Sequence, residues 1–297
     1  MDNLFFGTGS AMVTPFSGGK VDMNGFERLL KMQLDVGVDA LIVNGTTGEA
    51  STLTDGEMCS LVECAKQIAG GKIPVIAGAG ANNTLTAVRR ARRMVRAGAD
   101  ALLCVTPYYN KANQEGLKAH FRAVADASDV PVILYNVPSR TGVDLSVETA
   151  MELFRHPMIR GVKEASQDPG KIAKLLYGIG SGGYVYSGND DMVLPFLSLG
   201  AAGGICVMSN AFPKEMKCIT DCALAGDIAG ARSAHNRLFP AFSFMKKDVN
   251  PIPVKALLAA MGLIQNELRL PLTPMDANGM KEAESIIKAV SENEFPC

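Results

Sequence analysis

The sequence predicts an α/β protein of the (β/α)8 barrel class, the TIM barrel, with a C-terminal helical extension. Three observations predict it: eight short apolar runs of strand length, longer segments of helical periodicity between them, and only helical pattern after the eighth run. Runs this uniformly apolar are covered on both faces, and strict alternation with helices implies right-handed parallel crossovers. Eight such units close naturally into a barrel.

The eight apolar runs are the predicted barrel strands. In chain order they are GSAMVTPF (9–16), ALIVNG (40–45), PVIAGAG (74–80), ALLCVTP (101–107), PVILYNVP (131–138), IRGVKEAS (159–166), YVYSGND (184–190) and GGICVMSN (203–210). Helix-like stretches lie between the runs, and several end on glycine, the expected residue at a helix C-cap. The first four are FERLLKMQLDVG (26–37), EMCSLVECAKQIAGG (57–71), TLTAVRRARRMVRAG (84–98) and GLKAHFRAVADAS (116–128).

The chain after the eighth strand predicts a separate helical region. Helical pattern covers 227–245 and 251–262 and ends with a helix from about 276 to 291. We therefore predict a barrel domain over residues 1–225 and a C-terminal helical domain over residues 226–297. A doubly wound open sheet is the alternative fold, but it would need a phosphate-binding turn after its first strand, and TPFSGGKVD does not supply one.

Composition and charge narrow the protein class. The chain has 297 residues, 47% of them hydrophobic, and a formal net charge of -1, which favours a globular protein and no nucleic-acid partner. The N-terminus has no signal-peptide pattern, and no stretch approaches the roughly 18 apolar residues of a membrane span. Seven cysteines without a CxxC pair indicate reduced thiols, with Cys104 and Cys206 as small apolar residues. We predict a cytoplasmic protein that does not bind a membrane.

Signals for metals and cofactors are weak. The histidines, His120, His156 and His235, lack the i, i+4 partner or nearby acid that a metal site requires. GAGAN at 78–82 only half resembles a dinucleotide-binding turn, and a strand-to-helix turn explains it more simply. We therefore predict neither a metal nor a cofactor.

The strand ends carry the polar residues that predict function, because the chemistry of such barrels lies at the C-terminal ends of the strands. Strand 2 ends in NGTTGE, strand 4 in TPYYNK, strand 5 in YNVPSRTG and strand 7 in SGND, while strand 6 contains Lys163. Hydroxyls, tyrosines, an arginine and a lysine therefore meet at one mouth. This set suits an anionic substrate with a carbonyl group that an amine attacks.

Lys163 stands within an apolar run, where an unpaired ammonium group is costly. Side chains alternate along a strand, so Lys163 and Glu164 point to opposite sides and cannot neutralise one another directly. A lysine that faces the barrel interior has its ammonium form disfavoured by desolvation, which leaves more free amine to attack a ketone. Strand position alone leaves both a Schiff-base lysine and a structural ion pair open.

Neighbouring strand ends favour the catalytic interpretation. The Tyr135 hydroxyl could pass a proton to or from a carbinolamine, with Thr46 as a relay, although a tyrosine ring can also simply pack in a core. Arg140, in a loop shaped by proline and glycine, could clamp a carboxylate at two points, although surface arginines are common. Thr46 and Thr47 could donate hydrogen bonds to a second carboxylate, although GTTG as a turn alone would be unremarkable.

Six short motifs occur in order and with compatible spacing along essentially the whole chain. They are GTTGE (45–49), TPYYN (106–110), YNVPSRTG (135–142), GVKEAS (161–166), SGND (187–190) and NPIPVK (250–255). The combination resembles the dihydrodipicolinate synthase (4-hydroxy-tetrahydrodipicolinate synthase) family, within the N-acetylneuraminate lyase superfamily. Each motif is weak alone, whereas the six together are specific.

The resemblance implies a class I aldolase-type reaction of lysine and diaminopimelate biosynthesis, without a cofactor. Lys163 would form an imine with pyruvate, and the derived enamine would attack the aldehyde of L-aspartate 4-semialdehyde before cyclisation releases 4-hydroxy-tetrahydrodipicolinate. Thr46, Tyr109 and Tyr135 would form a proton relay. Tyr109 would reach the active site of a neighbouring subunit, typically within a homotetramer arranged as a dimer of dimers.

The resemblance also implies the substrate contacts. Arg140 would hold the semialdehyde carboxylate, Thr47 would help bind the pyruvate carboxylate, and Gly188 and the Ile205 backbone carbonyl would line the pocket. N-acetylneuraminate lyase and related 2-keto-3-deoxy sugar-acid aldolases are the alternative, but Arg140 and the YYN step favour the synthase. A noncatalytic barrel regulator is a remote alternative, because it predicts damage to residues that are all present.

Regulation departs from the family pattern. Lysine-inhibited members place His and Glu side chains around a site at the dimer interface, where this chain has Met58 and Thr86. Asn82 and Tyr108 do match that pattern. We therefore predict weak or absent feedback inhibition by lysine.

Overall fold

Eight parallel strands close into a barrel in the computed structural model, which describes residues 4–292. Each strand pairs with its neighbours along the chain, and the first strand pairs with both the second and the eighth. The strands are β1 (Gly7–Ala11), β2 (Ala40–Val43), β3 (Val75–Gly78), β4 (Ala101–Val105), β5 (Val132–Asn136), β6 (Ile159–Glu164), β7 (Tyr184–Ser187) and β8 (Gly203–Cys206). The predicted (β/α)8 barrel is confirmed.

Helices follow the strands along the chain. The side chains of Asp22 and Thr54 cap the first turns of two of them, and Gly37 and Gly70 end the same two in the left-handed conformation. The helices are α1 (Met23–Val36), α2 (Asp55–Ala69), α3 (Thr84–Arg96), α4 (Gln114–Asp126), α5 (Pro138–Thr141), α6 (Val147–Leu153), α7 (Pro169–Ile179), α8 (Val193–Ser198), α9 (Pro213–Leu224), α10 (Ile228–Phe244), α11 (Ile252–Ala260) and α12 (Ala277–Ser291).

The first strand is shorter than its apolar run. Strand β1 ends at Ala11, whereas the run continues to Phe16. Pro15 lacks the N–H group that a strand ladder requires. The chain instead forms a small antiparallel hairpin of Phe16–Ser17 and Lys20–Val21 above the barrel strands.

Successive side chains of a strand belong to two different apolar clusters. In β2, Ile42 joins a cluster in the barrel interior that includes Ile76 and Ile133, whereas Leu41 and Val43 join the layer between strands and helices. Each fully buried side chain of this kind stabilises the fold by roughly 1.5–3 kcal/mol. Because the two clusters are separate, a polar side chain on the inner face of a strand leaves the outer layer intact.

Helices α10 to α12 form the predicted C-terminal extension. Helix α10 packs on α9, and α12 packs on both α10 and α11. Between α10 and α11 the chain returns to the barrel mouth, where Asn250 donates a hydrogen bond to Thr47. The extension thus reaches the strand ends, while the domain boundary near residue 225 stays a prediction.

Arg269 ties the C-terminal segment to the outside of the barrel. Its guanidinium donates to both carboxylate oxygens of Glu57, at 2.6 and 2.9 Å, and to the carbonyl oxygen of Thr52 at 2.9 Å. Its backbone N–H donates to Glu49 at 3.1 Å. The Arg269 side chain lowers the pKa of the Glu57 carboxyl to about 2, well below its ordinary range.

We expect the Glu57–Arg269 pair to stabilise the protein at neutral pH and to fail in acid. Because the folded pKa of Glu57 lies below the unfolded one, the contribution is complete above pH 4.5 and is lost as the pH falls towards 2. Its size is of the order of 2 kcal/mol. Urea unfolding across this pH range should show that the wild type loses stability more steeply than Glu57→Gln, and equal slopes would contradict the expectation.

The cysteines only partly meet the prediction of reduced thiols. Burial raises the pKa of Cys104 to about 12, which suits its predicted role as a small apolar residue. Cys218 is disulfide-bonded, so the prediction is wrong there, because an odd total count still allows an individual pair. Cys297 lies outside the described residues. Among residues 4–292, Cys59, Cys64, Cys104 and Cys206 are free thiols.

Helix length and polarity bear on membrane insertion. Between residues 4 and 292, none of the helices combines the length and apolar character that crossing a membrane requires.

Candidate active site

A cavity of about 340 Å³ opens at the C-terminal ends of the barrel strands. One wall comes from the C-terminal extension, through Phe242, Met245, Lys246 and Asn250. Chemistry in (β/α)8 barrels is found at this end. The cavity brings together six of the predicted site residues: Thr46, Thr47, Tyr135, Arg140, Lys163 and Gly188.

Lys163 lies on the inner side of β6, and only 5% of its surface is exposed. It is in register with Tyr135 on β5, and its Nζ lies 4.5 Å from the centroid of the Tyr135 ring. The face of an aromatic ring attracts a cation through the ring quadrupole. The amino group is therefore buried and yet faces the cavity, the position that an imine-forming lysine requires.

Glu164 occupies the opposite side of β6, among the helices. Its carboxylate accepts hydrogen bonds from Asn136 Nδ2 at 3.0 Å and from the N–H of Ser166 at 2.7 Å. Lys171 Nζ lies 3.3 Å away. The ion pair of this strand is thus made by Glu164 with Lys171, on the far side of the sheet from Lys163.

The turn after β2 presents Thr46 and Thr47 to the cavity. Asn44 enters the turn with a φ of 59°, a left-handed conformation in which asparagine is enriched. Its side-chain N–H donates to the carbonyl oxygen of Met58 at 2.9 Å. Thr46 is exposed, whereas Thr47 is buried and its Oγ1 accepts a hydrogen bond from Asn250 Nδ2 at 3.0 Å.

Arg140 lies on α5, a helix of a single turn. Pro138 begins this turn and Gly142 ends it with a φ of 70°, as expected for a shaped loop. Arg140 Nη2 donates to the carbonyl oxygen of Asn250 at 3.4 Å, and the side chain lines the cavity. A guanidinium has five N–H donors, so this contact leaves a fork for a substrate carboxylate.

Gly188 and Ile205 flank the site differently. A Cβ atom at Gly188 would lie 2.7 Å from the Cβ of Ala165 and 3.2 Å from the Glu164 carbonyl oxygen, so a side chain there would force the two strand ends apart. The Ile205 side chain is fully buried in the interior cluster. Just after the same strand, Val207 is the residue that lines the cavity.

The structure does not bring Tyr109 to the cavity of its own chain. Tyr109 is 88% exposed, its backbone is left-handed with a φ of 75°, and it is not among the residues that line the cavity. Tyr108 instead lines a second cavity of about 250 Å³, which shares Thr46 and Tyr135 with the first. The two tyrosines of the YYN step therefore face different surroundings.

The family model described as the dihydrodipicolinate synthetase family matches residues 4–290. The chain belongs to this family. The 4-hydroxy-tetrahydrodipicolinate synthase of Exiguobacterium sibiricum is 48% identical over 277 residues, which cover 93% of this chain and 94% of that protein.

Solved structures of dihydrodipicolinate synthases share the whole fold. The chloride-inhibited enzyme of Acinetobacter baumannii, complexed with pyruvate, is 40% identical with a TM-score of 0.94 and covers 96% of this chain and 99% of its own. A monomeric dihydrodipicolinate synthase variant is 40% identical with a TM-score of 0.95, and the match covers 97% of each chain.

Two cavity residues of this family member, Asp190 and Asn250, have no role in the sequence-based prediction. Asp190 accepts hydrogen bonds from the N–H groups of Val207 and Met208 at 2.9 and 3.0 Å. Burial raises the pKa of Asp190 to about 6, although these bonds and Lys163 lower it. Both residues lay within quoted motifs, Asp190 in SGND and Asn250 in NPIPVK, but no local pattern connects Asn250 with Thr47, which lies 203 residues earlier.

Proposed function

We propose that this protein condenses pyruvate with L-aspartate 4-semialdehyde to give 4-hydroxy-tetrahydrodipicolinate, a lyase reaction of lysine and diaminopimelate biosynthesis. The observation that carries the proposal is Lys163, buried at the cavity with its amino group over the Tyr135 ring. The names of the relatives favour this synthase over N-acetylneuraminate lyase and the sugar-acid aldolases.

Lys163 supplies the nucleophile. Its free amine attacks the ketone carbon of pyruvate, and the carbinolamine loses water to give an imine. The imine withdraws electrons from the methyl carbon, which loses a proton to form an enamine. That carbon attacks the semialdehyde, whose own amine then closes the ring and displaces Lys163. The lysine is regenerated, so the cycle needs no cofactor.

Tyr135, Thr46 and Tyr109 of a neighbouring copy form the proton relay. Tyr135 and Thr46 line both cavities. Tyr109 is exposed on its own chain, close in sequence to Tyr108, which is 36% exposed, and Leu85 is 77% exposed. These exposed side chains support an interface between copies, and the resemblance to the family extends this interface to a homotetramer built as a dimer of dimers. Because a monomeric variant stands among the structural relatives, sedimentation of this protein is the direct test of its assembly.

Two groups bind the two substrate carboxylates. Thr47, in the turn after β2, helps bind the pyruvate carboxylate, while Arg140 holds the semialdehyde carboxylate at the outer side of the cavity. Gly188 lines the pocket near the lysine, and the resemblance to the family adds the Ile205 carbonyl beneath it. In this scheme the C-terminal domain, residues 226–297, closes one wall, and the protein acts on small metabolites in the cytoplasm.

A coupled assay tests the proposed function. Pyruvate and L-aspartate 4-semialdehyde are supplied with dihydrodipicolinate reductase, and NADPH oxidation is followed beside a parallel test for pyruvate release from N-acetylneuraminate. We expect turnover only in the first assay, weakened by Arg140→Ala because a charged contact to the semialdehyde is lost. Turnover only in the second would overturn the proposal in favour of a lyase.

We expect the synthase reaction to be insensitive to sub-millimolar lysine. Met58 is buried beneath the turn after β2 and engaged through its backbone by Asn44, and its thioether offers no donor or charge to an amino acid. Thr86 likewise lacks a carboxylate to meet an ammonium group. The coupled assay with added lysine measures this, and strong inhibition would show that other residues bind the effector.

A further inference from the structure

A fully buried ion pair lies behind the turn that carries Thr46 and Thr47. Lys255 Nζ lies 2.7 Å from Glu49 Oε1, and the two side chains are 0% and 1% exposed. Neither residue is among those that line the cavity, and neither takes part in the reaction proposed above. Because burying two charged side chains has a desolvation cost, their burial requires a physical reason.

Both members of the pair are tied to further elements. Lys255 Nζ also donates to the carbonyl oxygen of Thr14 at 3.0 Å and lies 4.4 Å from the centroid of the Phe16 ring. The second carboxylate oxygen of Glu49 accepts from the backbone N–H of Arg269 at 3.1 Å. The pair thus joins the turn after β2, the hairpin region, α11 and the C-terminal segment at one point.

Glu49 holds the end of the turn in an unusual conformation. Its φ is 53°, a left-handed value that is uncommon for a residue other than glycine. Its backbone N–H donates to the carbonyl oxygen of Thr46 at 3.1 Å. The side chain that pairs with Lys255 and the backbone that shapes the turn therefore belong to the same residue.

Lys255 stands on α11, five residues after Asn250 in the chain. Asn250 contacts two substrate-binding residues at once: its side chain donates to Thr47, and its carbonyl oxygen accepts from Arg140. Glu49 and Thr47 therefore belong to one turn, Asn250 and Lys255 belong to one segment, and the turn and the segment contact each other at both pairs.

Stability alone is a weak reason for such a pair. Desolvation of two charges offsets most of their attraction, and apolar residues of similar volume serve a core equally well. Burial lowers the pKa of Lys255, although Glu49 opposes this shift. In some proteins a buried polar or ionic group supplies, beyond apolar packing, a fixed register between the elements that carry it.

We propose that Glu49 and Lys255 are positioning residues, whose ion pair sets the register between the turn at 45–49 and the segment at 250–255. Through Asn250, this register holds Thr47 and Arg140 in place for the two substrate carboxylates. The inference rests on the proposed function, since it concerns how the same site recognises its substrates.

The test separates substrate affinity from folding. Lys255→Met and Glu49→Gln are compared with the wild type for the KM of both substrates and for melting temperature. A separate sample is trapped with pyruvate and borohydride to count the competent sites, and kcat is expressed per competent site. We expect both KM values to rise roughly tenfold or more, because each carboxylate loses a placed donor. The value of kcat per competent site should change much less, since Lys163 and Tyr135 stay on β6 and β5.

A matched control is Lys217→Met, which breaks an ion pair with Asp39 just before β2, at the opposite end of the barrel. It should lower the melting temperature and leave both KM values unchanged. Should the single variants fail to fold, the double variant Glu49→Gln with Lys255→Met removes both charges. It should fold and still show raised KM values.

Two outcomes overturn the inference. One is a lowered melting temperature with unchanged KM values, which would make the pair purely structural. The other is wild-type KM values in the folded double variant. Failure of the proposed function is seen separately, since the wild-type protein would then trap no pyruvate or turn over no semialdehyde before any variant is made.

Discussion

Replacing Lys163 by alanine is expected to abolish condensation, with a loss in kcat of about 10⁴-fold or more, as when the nucleophile of an enzyme is removed. The amine is the group that bonds to pyruvate, and no other lysine shares its position on the inner face of β6 with Tyr135 beneath its amino group. Borohydride reduction in the presence of pyruvate, followed by mass spectrometry, should show one adduct per wild-type chain and none in the variant.

Lys171 offers a matched control. It is also buried and pairs with Glu164 at 3.3 Å, but it lies on α7 outside the barrel. Lys171→Met should lose stability, because a buried carboxylate loses a charged partner, and should still trap pyruvate on Lys163. A pyruvate adduct on the Lys163→Ala protein would contradict the assigned role. So would the lack of an adduct on a folded Lys171→Met protein.

The second large effect is expected at Tyr135. Removal of its hydroxyl in Tyr135→Phe keeps the ring beneath the Lys163 amino group but removes the proton donor, and general acid–base groups typically contribute 10²–10⁴-fold. We expect kcat to fall by roughly that factor, with little change in melting temperature. Exchange of the pyruvate methyl protons with deuterated solvent should slow in parallel, because enamine formation depends on the same relay.

Tyr186→Phe is the corresponding control. Tyr186 is fully buried on β7, in register with Lys163 of β6, and its hydroxyl donates to the carbonyl oxygen of Phe5 at 2.9 Å. Its loss leaves a buried acceptor unpaired, so the free energy of unfolding should fall by about 1–3 kcal/mol while kcat stays close to the wild-type value. A Tyr135→Phe protein that turns over at nearly the wild-type rate would exclude the proposed relay.

The barrel is predictable from the sequence because parallel strands covered on both faces must be apolar throughout. Eight such runs, each followed by a helical segment, left few topologies open. The same rule locates the site, since Thr47, Arg140 and Lys163 all follow or end strands and so meet at one edge. The first apolar run overstated the length of β1, and Pro15 within that run was the sequence signal, because proline cannot donate a ladder hydrogen bond.

The features of the site that could not be predicted depend on contacts between residues far apart in the sequence or on the sign of a backbone φ angle. Tyr109 is exposed and has a left-handed φ, and nothing in TPYYN indicates either property. Asn250 reaches Thr47 only after the helices have packed, and the pairing of Glu49 with Lys255 spans 206 residues. Local sequence patterns carry information only about residues that are close in the chain, so they do not predict these contacts.

The link between Thr47 and Asn250 also has a consequence for the protein during its own synthesis. Asn250 leaves the ribosome 203 residues after Thr47, and at 5–20 residues per second this interval lasts roughly 10–40 s. During that time Lys163 has emerged, but the turn before it is not yet held and one cavity wall is absent. A nascent chain therefore carries its reactive amine without a formed pocket for pyruvate, and the pocket is completed only after Asn250 has been added to the chain.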